Sequence, residues 1–197
     1  MNVLHIDSSI LGEASASRTL TRAIVAKLKS EKPSPRMSYR DLAAQPLPHY
    51  SLASVTGSDA AEAARDAATL DEFVAADVIV IGAPLYNFSL PSQLKAWIDR
   101  ITVKGRTFRY TAQGPEGLAG GKKVIVAIAR GGVYESGSGS EFAESYLRFL
   151  FAFLGITDVT FVRAEGLNIS PAERQKSLEA AHAAISGLRE VPATLAA

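Results

Sequence analysis

Residues 78–88 have the sequence VIVIGAPLYNF. The first four residues are β-branched and apolar, and a run without polar alternation predicts a strand buried on both faces of a parallel sheet. Similar runs lie at Val3–Ile6, Val124–Ile128 and Val159–Val162, with a weaker one at Met37–Leu42. Together these segments predict a sheet of five strands.

Amphipathic helices are predicted between the strands. The first begins near Ser17, and the last begins at Pro171 with Ser170 as its N-cap. Three further helices are marked by apolar residues at helical spacing: Ala67, Leu70 and Val74; Leu94, Trp97, Ile98 and Ile101; and Phe142, Tyr146, Phe149, Leu150 and Phe153. This alternation predicts a doubly wound α/β fold with helices on both faces of a parallel sheet. Five strands favour the flavodoxin-like order over the six-stranded dinucleotide fold, and residues 1–197 are expected to form a single domain.

Phe108–Thr111 interrupts the alternation. It is predicted to be a short strand that leads into a turn at Gly114 and Pro115, inserted before the fourth strong strand. We expect this insertion beside the carboxyl ends of the strands, where ligands bind in such folds.

Composition excludes several classes of protein. The chain has 197 residues, a formal net charge of +1 and no cysteine. Near-neutrality argues against a nucleic-acid partner, and the lack of cysteine excludes disulfides and thiolate catalysis. The N-terminus becomes polar too soon for a signal peptide, and no apolar run approaches the roughly 20 residues of a membrane span. The three histidines lack metal-ligand spacing. We expect a cytoplasmic protein with no metal site and no membrane partner.

The loop after the first strand, residues 7–18, is rich in hydroxyl and small side chains. It leads into a helix whose unpaired N–H groups can bind phosphate, with Ser15 and Ser17 as additional donors. Alternatively, Ser17 is only an N-cap. The sequence has no GxGxxG motif after the first strand and no GxxxxGK[ST] motif anywhere, so the common nucleotide-binding motifs are absent.

Two further loops are expected at the same edge of the sheet. Residues 82–92 carry apolar and aromatic side chains together with Asn87, which suits a flat ring such as isoalloxazine; alternatively the loop packs over its own core. Gly131 and Gly132 would let the backbone approach a ligand closely, although a tight turn would also use them. Arg130 is either a phosphate or carboxylate partner or an exposed arginine.

In this order, the three loops resemble those of the FMN-dependent NADH:azoreductases, also called FMN-dependent NADH:quinone oxidoreductases. The resemblance spans nearly the whole chain and is carried by Ser9 with Ser15-Ala16-Ser17, Pro84–Phe88, Thr107–Thr111, Gly114–Leu118, Ala129–Gly132, Leu154–Thr157 and Ala164–Gly166. There are two departures. Ala129 stands where relatives often have serine, and the segment 46–64 is shorter than in several relatives.

The resemblance implies tight, non-covalent binding of FMN. Ser9 and residues 15–17 would hold its phosphate, and two further loops its ribityl chain and ring. The implied cofactor site comprises Ser9, Ser15, Ala16, Ser17, Pro84, Leu85, Tyr86, Asn87, Phe88, Ala129, Arg130, Gly131 and Gly132. Tyr110 and Phe153 match positions that shape the substrate pocket from the partner subunit of a homodimer.

The implied reaction is ping-pong reduction of quinones and azo compounds by NADH or NADPH. The flavin carries the chemistry, so no side chain is required as an acid or base, and Tyr86 and Asn87 would position rather than catalyse. Two alternatives stay open. An electron-transfer flavodoxin is typically acidic, unlike this chain, and a phosphodiesterase-type hydrolase would need an acid/base constellation that the sequence lacks.

Overall fold

A computed structural model describes residues 1–31, 34–134 and 140–190; the end of the expected domain, 191–197, lies outside them. The strands are β1 (Asn2–Asp7), β2 (Arg36–Asp41), β3 (Val78–Pro84), β4 (Phe108–Thr111), β5 (Gly114–Gly117), β6 (Lys123–Ala129) and β7 (Asp158–Ala164). Five of them form a parallel sheet in the order β2-β1-β3-β6-β7. In the central strand, Val78 lies opposite Val3 on one side and Lys123 on the other. The predicted flavodoxin-like order is confirmed.

Helices cover both faces of this sheet. They are α1 (Ala16–Glu31), α2 (Leu52–Thr56), α3 (Ala60–Ala75), α4 (Ser92–Ile101), α5 (Ala143–Phe153) and α6 (Pro171–Ser186). Successive side chains of a strand point to opposite faces. Val78 and Val80 therefore pack with α1 and α6, whereas Ile79 and Ile81 pack with α3, α4 and α5. Both hydrophobic cores thus share the same strands. The described helices include none long and apolar enough to cross a membrane.

Two predicted helix faces are wrong in detail. In α3 Leu70 is buried as predicted, but Ala67 and Val74 are exposed, and Phe73 is the residue buried in the core instead. In α5 the residues buried against the sheet are Leu147, Leu150 and Phe151. Of the aromatic residues expected on the buried face, Phe149 is 72% exposed and Phe142 is exposed too, whereas Tyr146 and Phe153 are half-buried. Both sides of α5 are apolar, so periodicity alone does not distinguish the face that packs on the sheet.

The insertion before β6 is a two-stranded antiparallel hairpin. β4 is confirmed, but Gly114 and Pro115 begin β5 instead of forming a turn. The expected position at the carboxyl ends of the strands is wrong, because α4 has already returned the chain to the opposite edge of the sheet. There the hairpin packs on the end of α5. A Cβ atom at Gly117 would lie 2.1 Å from the backbone nitrogen of Gly155, so only glycine fits this contact.

Candidate functional site

The loops at the carboxyl ends of the strands enclose a cleft. Its lining residues are Ser9, Leu11, Ala14, Ser15, Ala16, Pro84, Leu85, Tyr86, Ala129, Arg130, Gly131, Leu167, Asn168 and Arg174. Parallel strands end at a common edge, which brings together segments that are far apart in sequence. Nine of the thirteen residues expected to bind a cofactor lie in this cleft.

The remaining expected residues lie elsewhere. Ser17 is completely buried beside the cleft. Asn87 and Phe88 line an adjoining shallow pocket that includes Phe142. Gly132 lies beside the ring of Tyr134. Tyr110 and Phe153 belong to the hairpin end of the sheet, where both contact the ring of Phe108.

The first loop ends in a helix cap formed by Ser15, not by Ser17. Helix α1 begins at Ala16, and the N–H of Arg18 donates to Ser15 Oγ at 3.3 Å. The hydroxyls of Ser15 and Ser17 share a hydrogen bond of 3.1 Å. One bond between two hydroxyls uses one of their two protons, so the other proton can be donated elsewhere. The N–H groups of the first helical turn also lack acceptors within the helix. This end of α1 is therefore rich in donors.

An ion pair fixes the start of the same loop. The Arg18 guanidinium donates to both carboxylate oxygens of Asp41 in β2, at 2.7 and 2.8 Å, and to the carbonyl of Ser9 at 2.8 Å. The hydrogen bond from Arg18 lowers the pKa of Asp41, and Asp41 in turn raises the pKa of Arg18. The pair stays charged at neutral pH and holds Ser9 at the edge of the cleft.

A second carboxylate, Asp7, lies beneath this pair. It accepts hydrogen bonds from Thr21 at 2.9 Å and from the Tyr39 hydroxyl at 3.1 Å, and its carboxylate is 3.4 Å from His5. Burial opposes ionisation of Asp7, but His5, Thr21 and Arg18 together lower its pKa. Burial and the neighbouring carboxylates raise the pKa of Tyr39 to about 12. Asp7 therefore faces the interior and not the cleft.

The second loop contains a tight turn with two residues in the left-handed region. Tyr86 and Ser89 exchange backbone hydrogen bonds of 2.9 and 3.0 Å, and Asn87 and Phe88 between them have φ values of 49° and 67°. Asparagine tolerates this region, whereas a bulky residue such as phenylalanine is strained there. The Tyr86 hydroxyl lies 3.1 Å from Ser9 Oγ and thus joins the second loop to the first.

In the third loop, Arg130 pairs with carboxylates of the protein itself. Its guanidinium is buried, with contacts of 2.8 Å to Glu141 and Glu165 and of 3.6 Å to Glu144. Of the alternatives left by the sequence, Arg130 is a carboxylate partner and not an exposed arginine, and glutamates of the protein neutralise its charge. Packing explains why residue 131 is glycine, because a Cβ atom there would lie 2.6 Å from Asn168 Nδ2.

Sequence patterns missed three lining residues that follow the fifth strand of the sheet. These are Leu167, Asn168 and Arg174. Their place in the chain could have identified them, because the loop after β7 must lie at the same end of the sheet as the other three loops. That loop lacks the glycine pairs and clustered hydroxyls that drew attention to the others.

Comparison with known proteins defines the class first. Residues 1–188 match the family model described as flavodoxin-like fold. An azoreductase from Bacillus anthracis str. Sterne superposes with a TM-score of 0.87 at 30% identity, over 95% of this chain and 97% of that one. The FMN-dependent NADH-azoreductase of B. anthracis str. Ames Ancestor, solved in complex with FMN, gives 0.84 at 26% identity, covering 95% and 99% of the two chains.

Relatives of similar length then define the family. The FMN-dependent NADH:quinone oxidoreductase of Ralstonia nicotianae is 56% identical over 94% of this chain and 95% of the relative. The protein of that name from Stenotrophomonas maltophilia is 49% identical over the full length of both chains. The chain belongs to the FMN-dependent NADH:quinone oxidoreductase family, and the resemblance seen in the sequence is confirmed.

Proposed function

We propose that this protein uses FMN to reduce quinones with NADH and that it also cleaves azo compounds reductively. The observation that carries the proposal is the donor-rich start of α1 opening into the cleft, in a chain of this family. The family also favours an oxidoreductase over the two alternatives left by the sequence, an electron carrier and a hydrolase.

The cleft fits FMN by its donor set. Ser15, Ala16 and Ser17 would hold one phosphate at the start of α1, where the helix dipole attracts an anion. A single cradle of this kind suits FMN, with its one phosphate, and not the diphosphate of FAD. Leu85 and the backbone of Ala129 and Gly131 would line the ribityl chain and the edge of the ring.

The residues of the cleft bind and orient instead of transferring protons. FMN, when bound, would supply the redox chemistry, which is a two-electron transfer from NADH to the acceptor. Among the described residues that line the cleft, none carries a carboxylate or an imidazole. Tyr86 holds Ser9, and the turn at Asn87 and Phe88 fixes the second loop beside the ring. Donor and acceptor would use the same open side of the cleft in turn, which is a ping-pong order.

We further propose that the active enzyme is a homodimer. One chain encloses about 170 Å³ in the cleft, less than the about 300–1,000 Å³ usual for small-molecule sites. An aromatic patch at the other end of the molecule, formed by exposed Tyr110 and Phe149 with half-buried Phe153, would supply the missing wall from the partner subunit. The apolar residues Trp97 and Ile101 of α4 are fully buried in their own chain and are not available to such an interface.

Spectroscopy and kinetics test these proposals. Purified protein should show a flavin spectrum, and the released cofactor should comigrate with FMN. With NADH, a quinone and an azo dye should both be reduced, and reciprocal plots should be parallel, as a ping-pong order requires. NADPH is assayed beside NADH. A protein without flavin, or one containing FAD, would contradict the proposal. We place the enzyme in the cytoplasm, where its reductant is available, and cell fractionation checks this.

A further inference from the structure

Arg130 and Arg174 line the cleft, and another arginine, Arg18, is buried beneath its first loop. Two of the three are neutralised by the protein. Arg18 is paired with Asp41, and Arg130 is surrounded by glutamates. The third, Arg174, makes no ion pair among the described residues. It is the one arginine of the three whose charge is not cancelled by a neighbouring carboxylate.

Arg174 lies next to the donor-rich start of α1. It belongs to the first turn of α6, which is capped by Ser170 accepting the N–H of Glu173 at 3.1 Å. Its Nη2 donates to the carbonyl of Ala14 at 3.5 Å, and Ala14 directly precedes the cap residue Ser15. A hydrogen bond of this length is weak. The guanidinium is therefore loosely held, and the half-buried Arg174 lies on the wall of a cleft that Ser15 also lines.

We propose that Arg174 binds the phosphate of FMN and supplies the positive charge that the phosphate loop itself lacks. The inference rests on the proposed function and assigns a residue to it. Residues 7–17 contain no lysine or arginine, and the start of a helix contributes only about half a positive charge. A phosphate monoester carries about −1.5 to −2 at neutral pH. A guanidinium can donate two parallel hydrogen bonds to such a group.

Flavin titration of the full chain, depleted of flavin and monitored by fluorescence quenching, tests the assignment. Riboflavin lacks the phosphate, so the ratio of FMN to riboflavin affinity isolates the contribution of the phosphate. Arg174→Gln should lower FMN affinity about tenfold to a hundredfold and leave riboflavin affinity unchanged. It should also reduce the salt dependence of FMN binding. Arg174→Lys, which keeps the charge, should retain part of the preference. Lys176→Gln is the matched control: it removes an exposed charge of the same helix outside the cleft and should change nothing.

Every other outcome contradicts either the assignment of Arg174 or the proposed phosphate site. If Arg174→Gln binds FMN as tightly as wild type does, Arg174 does not contact the flavin phosphate and the assignment is wrong. That result is also the one expected if Arg174 contacts a phosphate of the nicotinamide nucleotide instead. Equal losses for FMN and riboflavin would indicate a structural role and also reject the assignment. If wild type binds riboflavin as tightly as FMN, the phosphate site of the proposed function fails, and the assignment of Arg174 fails with it.

Discussion

Ser15 caps α1 and contributes a hydroxyl to the cleft, and substitution can separate these two roles. Aspartate and asparagine are both good N-caps. Ser15→Asp would place a carboxylate against the flavin phosphate, a like-charge contact that should weaken FMN binding by at least about tenfold. Ser15→Asn is the matched control. The two variants should differ much less in their affinity for riboflavin, which lacks the phosphate. Equal FMN affinities for the two variants would mean that the phosphate does not bind at this cap.

Phe88 shows strain within a single residue. Its φ of 67° is unfavourable for any side chain with a Cβ atom. Comparing Phe88→Gly with Phe88→Ala removes the ring in both variants and the Cβ atom in only one. We predict that the glycine variant has the higher free energy of unfolding, by about 1 kcal/mol in urea denaturation, which reverses the usual order of these residues. An alanine variant of equal or greater stability would show that the turn is unstrained.

Between elements, the pair of Arg18 and Asp41 ties α1 to the edge strand β2. Both side chains are largely buried, so Asp41→Asn should lower the free energy of unfolding by about 3 kcal/mol. It should also weaken FMN binding, because Ser9 loses its anchor. Glu116→Gln breaks an exposed pair with Arg109 and is the control, with an expected loss below about 1 kcal/mol. Similar losses in both variants would contradict the prediction.

The pH dependence of this difference follows from the sign of the pKa shift. The pKa of Asp41 is lowered by Arg18 in the folded protein, relative to an ordinary value of 3.8. The contribution of its charge to stability is therefore complete above that value and disappears as pH falls through the folded-state pKa. Wild type and Asp41→Asn should accordingly converge in stability in acid, as measured by urea denaturation at successive pH values.

The same scale shows what sequence patterns can predict. The five strands and their order were predictable, because continuous β-branched runs such as Val78–Ile81 mark strands buried on both faces. The outward side of α5 was not, since Phe149 is as apolar as the buried Leu147. The position of the hairpin was not predictable from composition either, because it depends on the direction in which α4 returns the chain across the sheet.

At the scale of the whole molecule, many of the residues that line the cleft could be anticipated, because the loops after parallel strands all lie at one end of the sheet. The identity of the carboxylates that pair with Arg130 could not be anticipated in this way. Its carboxylate partners are Glu141, Glu144 and Glu165, and no local pattern reveals that they surround it. Arg174 was missed for the converse reason: it resembles any polar residue of a surface helix until the fold places it beside Ala14.

The proposed dimer is testable at the aromatic patch. Phe149 is 72% exposed, so Phe149→Glu can disrupt an interface without creating a buried charge. We predict a halved mass in light scattering together with a loss of quinone reductase turnover. Phe149→Leu keeps the surface apolar and should stay dimeric and active. Ile101→Glu is unsuitable, because Ile101 is completely buried and a charge there would unfold the chain. A folded, flavin-loaded monomer with full turnover would refute the shared site.

The contact between Gly117 and Gly155 has a consequence for how variation in this family is interpreted. Two backbones touch there with no room for a methyl group, so position 117 admits one amino acid of the twenty. We expect selection to hold it as strictly as any residue of the cleft, although it lies at the opposite edge of the sheet. Invariance at this position would reflect the close packing of two chain segments. A search that assigns every invariant residue to the active site would therefore assign this one wrongly.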